Sequence, residues 1–142
     1  MQKRFYLDTA IWRDYFEDRG DGTRPLGEFA FQFLSKCGEN TAVILVSDVV
    51  VLEPKIRFSE QRSKELFSSF ESMITWLEAS AKQTSEAREE WAKRNKAVPF
   101  KDVLHAIIAR DSKAVLVARD KHFFDSLSSI VEVQKPEDVD FT

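Results

Sequence analysis

Ala42-Val43-Ile44-Leu45-Val46 carries no polar side chain, so neither face of an extended chain there can meet water. Such a run suits a strand covered on both sides, as in parallel sheets, better than the alternating strand of a half-exposed antiparallel one. Val115-Leu116-Val117 repeats the pattern. Lys3 to Leu7 is a third short β-rich run, and Ile130 to Val133 reads as a fourth. Helical patterns separate these strands. Ala10 to Phe16 is amphipathic, with Asp8 or Thr9 as its cap. After the turn residues Gly20 to Arg24, Pro25 opens a helix with Leu26, Phe29, Ala30, Phe33, Leu34 and Cys37 on one face, closed by Gly38.

From Pro54 to Pro99 the chain is charged and reads as helical, without a strand. Leu66, Phe70, Met73, Ile74 and Leu77 form one apolar stripe, and Thr84 and Ser85 with Glu86 open a second helix through Trp91. Val103, Leu104, Ile107 and Ile108 line a further helix after Pro99. Strands alternating with helices predict an α/β chain with a central parallel sheet in three α/β/α layers. At 142 residues the expectation is a single domain over residues 1–142.

The aliphatic runs fall far short of the ~20 residues a membrane span needs, so no membrane is expected. One cysteine, Cys37, cannot close an internal disulfide, which suits a reducing cytoplasm. The net charge of -3 argues against nucleic-acid binding through overall charge, yet allows a basic patch beside an acidic, metal-filled site.

In open parallel sheets, ligands collect beyond the carboxyl ends of the strands. Asp8 ends the first strand, Asp120 follows Val115–Val117, Glu53 comes one short segment after Val43–Val46, and Asp102 begins the helix leading to Val115. Four acids from distant parts of the chain thus converge on one edge. Carboxylates so placed repel unless a cation sits among them. Oxygen ligands without histidine or cysteine favour Mg²⁺ or Mn²⁺, and two such ions can activate water against a phosphodiester.

The residues around the acids sharpen this. "FYLDTAIW" resembles the opening of a PIN (PilT N-terminal) domain, and "VSDVVVLE", with Ser47 and Glu53, resembles its second motif. "PFKDVLHAIIA" is similar to the third, with Asp102, Ala106 and Ala109; "AVLVARDKHF" is similar to the fourth, with Asp120 and Phe123. The resemblance spans residues 4 to about 133. It implies a three-layer α/β/α fold and a magnesium- or manganese-dependent ribonuclease. In that reading Asp8, Glu53, Asp102 and Asp120 serve as catalytic metal ligands, and water attacks phosphorus without a covalent enzyme intermediate. The size suits VapC-type toxins, which implies an RNA substrate, an antitoxin protein partner and a homodimer.

Two positions depart from the family pattern. Ala118 stands where Thr or Ser is usual two residues before the acid, and Pro54 follows Glu53, where it disfavours helical geometry. They motivate a rival reading, a catalytically decayed PIN-like binding module. A phosphatase of the haloacid-dehalogenase kind would need an acid two residues after Asp8, where Ala10 stands.

Simpler roles compete at single positions. Asp8 and Asp102 can each serve a helix start, and Asp48 suits dipole compensation. Asp125 is either a fifth acid at the rim or part of a solvated face. His105 lies one turn after Asp102, where it either packs or shares a metal; His122 reads as a surface residue within reach of substrate. Trp76 and Trp91 read as core or dimer contacts. Arg57, Arg62, Lys64, Arg88, Lys93, Arg94 and Lys96 read mostly as solvated faces, some able to grip RNA phosphates.

Overall fold

The computed structural model describes residues 2–17, 24–52, 65 and 67–141. Glu53, Pro54, Arg57, Arg62, Lys64, Leu66 and most of the Gly20–Arg24 turn lie outside the described residues.

Five parallel strands form one sheet: β1 (Arg4–Leu7), β2 (Val43–Ser47), β3 (Ile74–Leu77), β4 (Val115–Val117) and β5 (Val133–Gln134), in the order β3-β2-β1-β4-β5. The α-helices bounded within the described residues are α1 (Thr9–Glu17), α2 (Leu26–Glu39), α3 (Asp48–Val51), α4 (Ala81–Lys93), α5 (Phe100–Asp111) and α6 (Lys121–Asp125). The chain steps outward from β1 to β2 to β3, then returns to place β4 on the other side of β1. Since such crossovers are right-handed, the reversal sends the later helices to the opposite face.

Side-chain alternation along β1 shows both faces in use. Phe5 meets Phe33 of α2 edge-on, with ring centroids 5.2 Å apart, while Tyr6 turns to the other face and meets His105 of α5. α1 packs against α2, and α4 against α5. The result is a three-layer α/β/α fold. Tyr6, Leu7, Ile44, Leu45, Val46, Leu116 and Val117 are wholly buried, as their unbroken apolar runs require. None of the described helices is long and apolar enough to cross a membrane.

Three elements differ from the sequence reading. Ile74-Thr75-Trp76-Leu77 is a strand, pairing Ile44 with Ile74 through Ser47 with Leu77, not part of a helical stripe. As the edge strand it leaves Thr75 and Trp76 exposed, and this half-covered pattern coincides with helical spacing over a short window. α4 starts four residues earlier than Ser85, at Ala81. Ser80 Oγ accepts from Gln83 N–H at 3.0 Å and Ser80 N–H donates to Gln83 Oε1 at 2.9 Å, a reciprocal capping box. Finally, β5 is Val133–Gln134, with Ile130 and Val131 in the preceding turn; Leu116 N–H donates to Glu132 O, and Ala118 N–H to Gln134 O.

Candidate metal centre

Asp8 is held at the point where the sheet order reverses. Its N–H extends the β1–β4 ladder to Val117 O at 2.9 Å, and its carbonyl receives Ile11 N–H as α1 begins. Oδ2 accepts from Ala10 N–H at 3.3 Å, so Asp8 itself caps α1. Thr9, the first helical residue, directs its hydroxyl to His105 Nε2 at 3.5 Å. Asp8 is 4% exposed.

Two periodicities bring its neighbours. Asp8 directly follows β1, two residues beyond Tyr6, and its N–H continues the ladder, so it shares Tyr6's face, the one covered by α5. On α5, Asp102 and His105 are three residues apart and share a helix face. Ligand atoms from Asp8, Asp102 and His105 all lie within 4.8 Å of one another. Asp120, exposed at the start of α6 after β4, stands close enough for its charge to act on Asp8.

The electrostatics follow from this crowding. Burial, then the charge of Asp102 and more weakly that of Asp120, pushes the Asp8 carboxyl up from 3.8 to about 7, against the pull of the Ala10 and Thr9 N–H groups. A cation among these acids would reverse that penalty. The two carboxylates are hard oxygen donors of the kind that suit Mg²⁺ or Mn²⁺, the metal implied by the PIN resemblance, and the imidazole nitrogen beside them adds a third donor.

Beneath the acids runs a buried polar chain. Tyr6 Oη is 2.6 Å from Ser47 Oγ and 2.6 Å from His105 Nδ1. Ser47 stands at the N-terminus of α3 as expected, but its hydroxyl goes to Tyr6 and not to the helix. Burial, with a smaller push from the Lys101 charge, lowers His105 to about 3, so its imidazole is neutral. Burial also holds the Tyr6 phenol well above its usual range.

Asp102, with its side chain 16% exposed, receives His122 Nε2–H on Oδ2 at 2.5 Å; the carboxylate can only accept, so the imidazole carries that proton. His122 is thus part of the centre and more than a surface residue. The closeness of His122, in the first turn of α6, to Asp120 at the start of that helix was the available signal. Asp125 is exposed and 3.8 Å from Lys121, a solvated pair at the helix surface. Asp48 Oδ1 accepts from Ala79 N–H at 3.0 Å, which ties the end of β3 to the start of α3. Ala118 is wholly buried and offers no hydroxyl to the centre. Trp91 is a partly buried contact, donating Nε1–H to Val98 O, while Trp76 is half exposed beside Phe67.

The ion pairs of Arg119 went unread in the sequence. Arg119, beside Asp120, reaches Asp14 of α1 at 3.5 Å and Glu137 at 2.8 Å. It anchors the β4 turn to α1 and to the C-terminal segment.

No family model and no curated protein sequence matches the chain. Solved structures do. A chain of VapBC2 from Rickettsia felis, crystallised on a DNA fragment of its promoter, aligns at 19% identity over 93% of this chain and 98% of that one, with a TM-score of 0.68. DNA-bound VapBC from Salmonella typhimurium aligns at 20% identity over 96% and 99%, also with a TM-score of 0.68. FitAcB from Neisseria gonorrhoeae aligns at 16% identity over 95% and 99%, with a TM-score of 0.64. The parallel sheet and its layered helices therefore have the fold of a VapC-like PIN domain.

Proposed function

We propose that residues 1–142 act as one cytoplasmic, Mg²⁺- or Mn²⁺-dependent endoribonuclease, the toxin of a toxin–antitoxin pair, working as a homodimer and held in check by an antitoxin protein. The observation that carries this reading is Asp8, a carboxylate 4% exposed and within 4.8 Å of Asp102 and His105 at the reversal point of the sheet. Capping α1 needs one oxygen near one N–H; it does not need a second acid pressed against the first.

Asp8 and Asp102 would hold the cation, with Asp120 at the exposed rim and Glu53 completing the set. When bound, the ion supplies Lewis acidity toward phosphate and toward an attacking water. The chain's own residues provide the frame. The β1–β4 ladder fixes Asp8, and His122 fixes one oxygen of Asp102. Exposed Asp120 marks the side from which a phosphodiester can enter. In the hydrolysis, water adds to phosphorus, one P–O ester bond breaks, and the departing oxygen takes a proton. The partner proposal draws on the neighbouring folds, which were crystallised as VapBC and FitAcB complexes.

The test is Mn²⁺ calorimetry on the EDTA-stripped chain together with RNA cleavage, for the wild type and Asp8→Asn. Saturable binding and cleavage, both lost in a folded Asp8→Asn, are expected. Undiminished cleavage in that variant sinks the assignment. No saturable binding to the wild type would favour a decayed module, the outcome to which the hydroxyl-free Ala118 points.

A further inference from the structure

We propose that His105 is a ligand of the same cation as Asp8 and Asp102, which makes the centre a mixed nitrogen–oxygen site that takes Mn²⁺ in preference to Mg²⁺. This rests on the metal-dependent reading above and specifies its ion.

The geometry begins with spacing. For bonds of ~2.1 Å, donor atoms around one octahedral ion lie roughly 3 Å apart in cis and roughly 4 Å in trans. The three donors lie within 4.8 Å of one another, so small side-chain movements suffice to close on one ion. His105 is 1% exposed and cannot turn to solvent.

Its two nitrogens are differently placed. Nδ1 is engaged by Tyr6 Oη at 2.6 Å. Nε2 has the Thr9 hydroxyl at 3.5 Å, beyond the usual span of an N–H···O bond. If Tyr6 donates its O–H to Ser47 Oγ, the phenol oxygen is open to accept Nδ1–H, and the lone pair is left on Nε2. A ligating histidine is commonly fixed in this way, by donating its other N–H to a second group. Tyr6, wholly buried between Ser47 and His105, has the position for that task.

Ion choice follows from chemistry and burial. Mn²⁺ and Mg²⁺ both take carboxylate oxygens, but Mn²⁺, a transition-metal ion, also accepts an imidazole nitrogen, whereas Mg²⁺ demands oxygen and gives up its waters reluctantly. A centre with Asp8 almost wholly buried and an imidazole among its donors disfavours Mg²⁺ on both counts.

The chain has two histidines, and His122 touches Asp102, so the test must separate them. Pulsed EPR of Mn²⁺ bound to His122→Gln, whose one remaining histidine is His105, should show a histidine nitrogen coupling that changes on ¹⁵N-histidine labelling. Calorimetry of the EDTA-stripped wild type should show Mn²⁺ binding at least about tenfold tighter than Mg²⁺. Tyr6→Phe, which keeps the ring, should weaken Mn²⁺ about 10- to 100-fold, the usual range for loss of a group that orients a ligand. His105→Gln should abolish the preference for Mn²⁺. Should that buried variant not fold, the EPR spectrum of His122→Gln decides alone. Mn²⁺ that binds, is lost in Asp8→Asn and shows no histidine coupling overturns His105 as a ligand and leaves the nuclease reading standing. Absence of any saturable Mn²⁺ binding overturns both.

Discussion

Asp8→Asn in the metal-free chain should raise stability at neutral pH, although the residue is buried and hydrogen-bonded. The folded carboxyl ionises at about 7 and the unfolded one near 3.8. Between those values the folded chain holds a proton that the unfolded chain has released, so stability falls as pH rises through the interval and levels off above about 7. At about 1.4 kcal/mol per pH unit, the charge costs the fold about 4 kcal/mol at pH 8, about 0.6 kcal/mol at pH 4 and almost nothing below about pH 3. Asparagine removes the charge and keeps an oxygen to accept Ala10 N–H. Its amide can donate to the surrounding carboxylates, although some of the gain is lost in fitting a new group.

The assay is urea unfolding, followed by far-ultraviolet circular dichroism, in EDTA at pH 4 and pH 8. The variant should match the wild type to within about 0.6 kcal/mol at pH 4, where both folded side chains are neutral and the unfolded carboxyl has only begun to ionise. At pH 8 it should be more stable by about 2–4 kcal/mol, which for a chain of this length is on the order of 10 °C in Tm. Mn²⁺ at 100 times its dissociation constant should then return about 2.7 kcal/mol to the wild type and nothing to the variant. A variant no more stable than the wild type at pH 8 in EDTA would refute the view that Asp8 is a costly buried charge, and with it the need for a neutralising cation.

Arg119→Ala should cost about 1–3 kcal/mol in urea unfolding, because it releases Glu137 and withdraws one nearby cation from Asp14; a loss below about 0.5 kcal/mol would show the contact to be incidental. Ser80→Ala should cost about 1 kcal/mol by loss of the capping box, with Mn²⁺ affinity unchanged, because α4 supplies no residue to the acid cluster.

The strands buried on both faces were readable in the sequence because burial leaves few polar residues: β1, β2 and β4 fall where the apolar runs lie, with Ser47 the buried polar exception at the end of β2. β3 was not, since an edge strand is covered on one side only and its burial mimics a helix over four residues. Its β-branched and aromatic content, Ile74, Thr75 and Trp76, was the stronger signal. The same limit applies to Arg119 and Asp14. They are 105 residues apart in sequence, and nothing in either local pattern requires the other.

The acid cluster shows why convergence is easier to read than contact. Asp8, Asp102 and Asp120 announce themselves because strand ends in a parallel sheet all open on one edge, whatever the strand order. The set Asp8, Asp102 and His105 demands more. The period of two along β1 puts Tyr6 and Asp8 on one face, and the spacing of three on α5 puts Asp102 and His105 on another. Both periods are present in the sequence, yet neither says that these faces meet. That depends on β4 lying beside β1, so that α5, which leads into β4, is laid across the Tyr6 side. With β3 unread, the return from β3 to β4 could not be drawn and α5 could not be placed. The missed edge strand and the histidine left as either packed or ligating are therefore one omission: the strand order that reveals the first also brings the second to the acids.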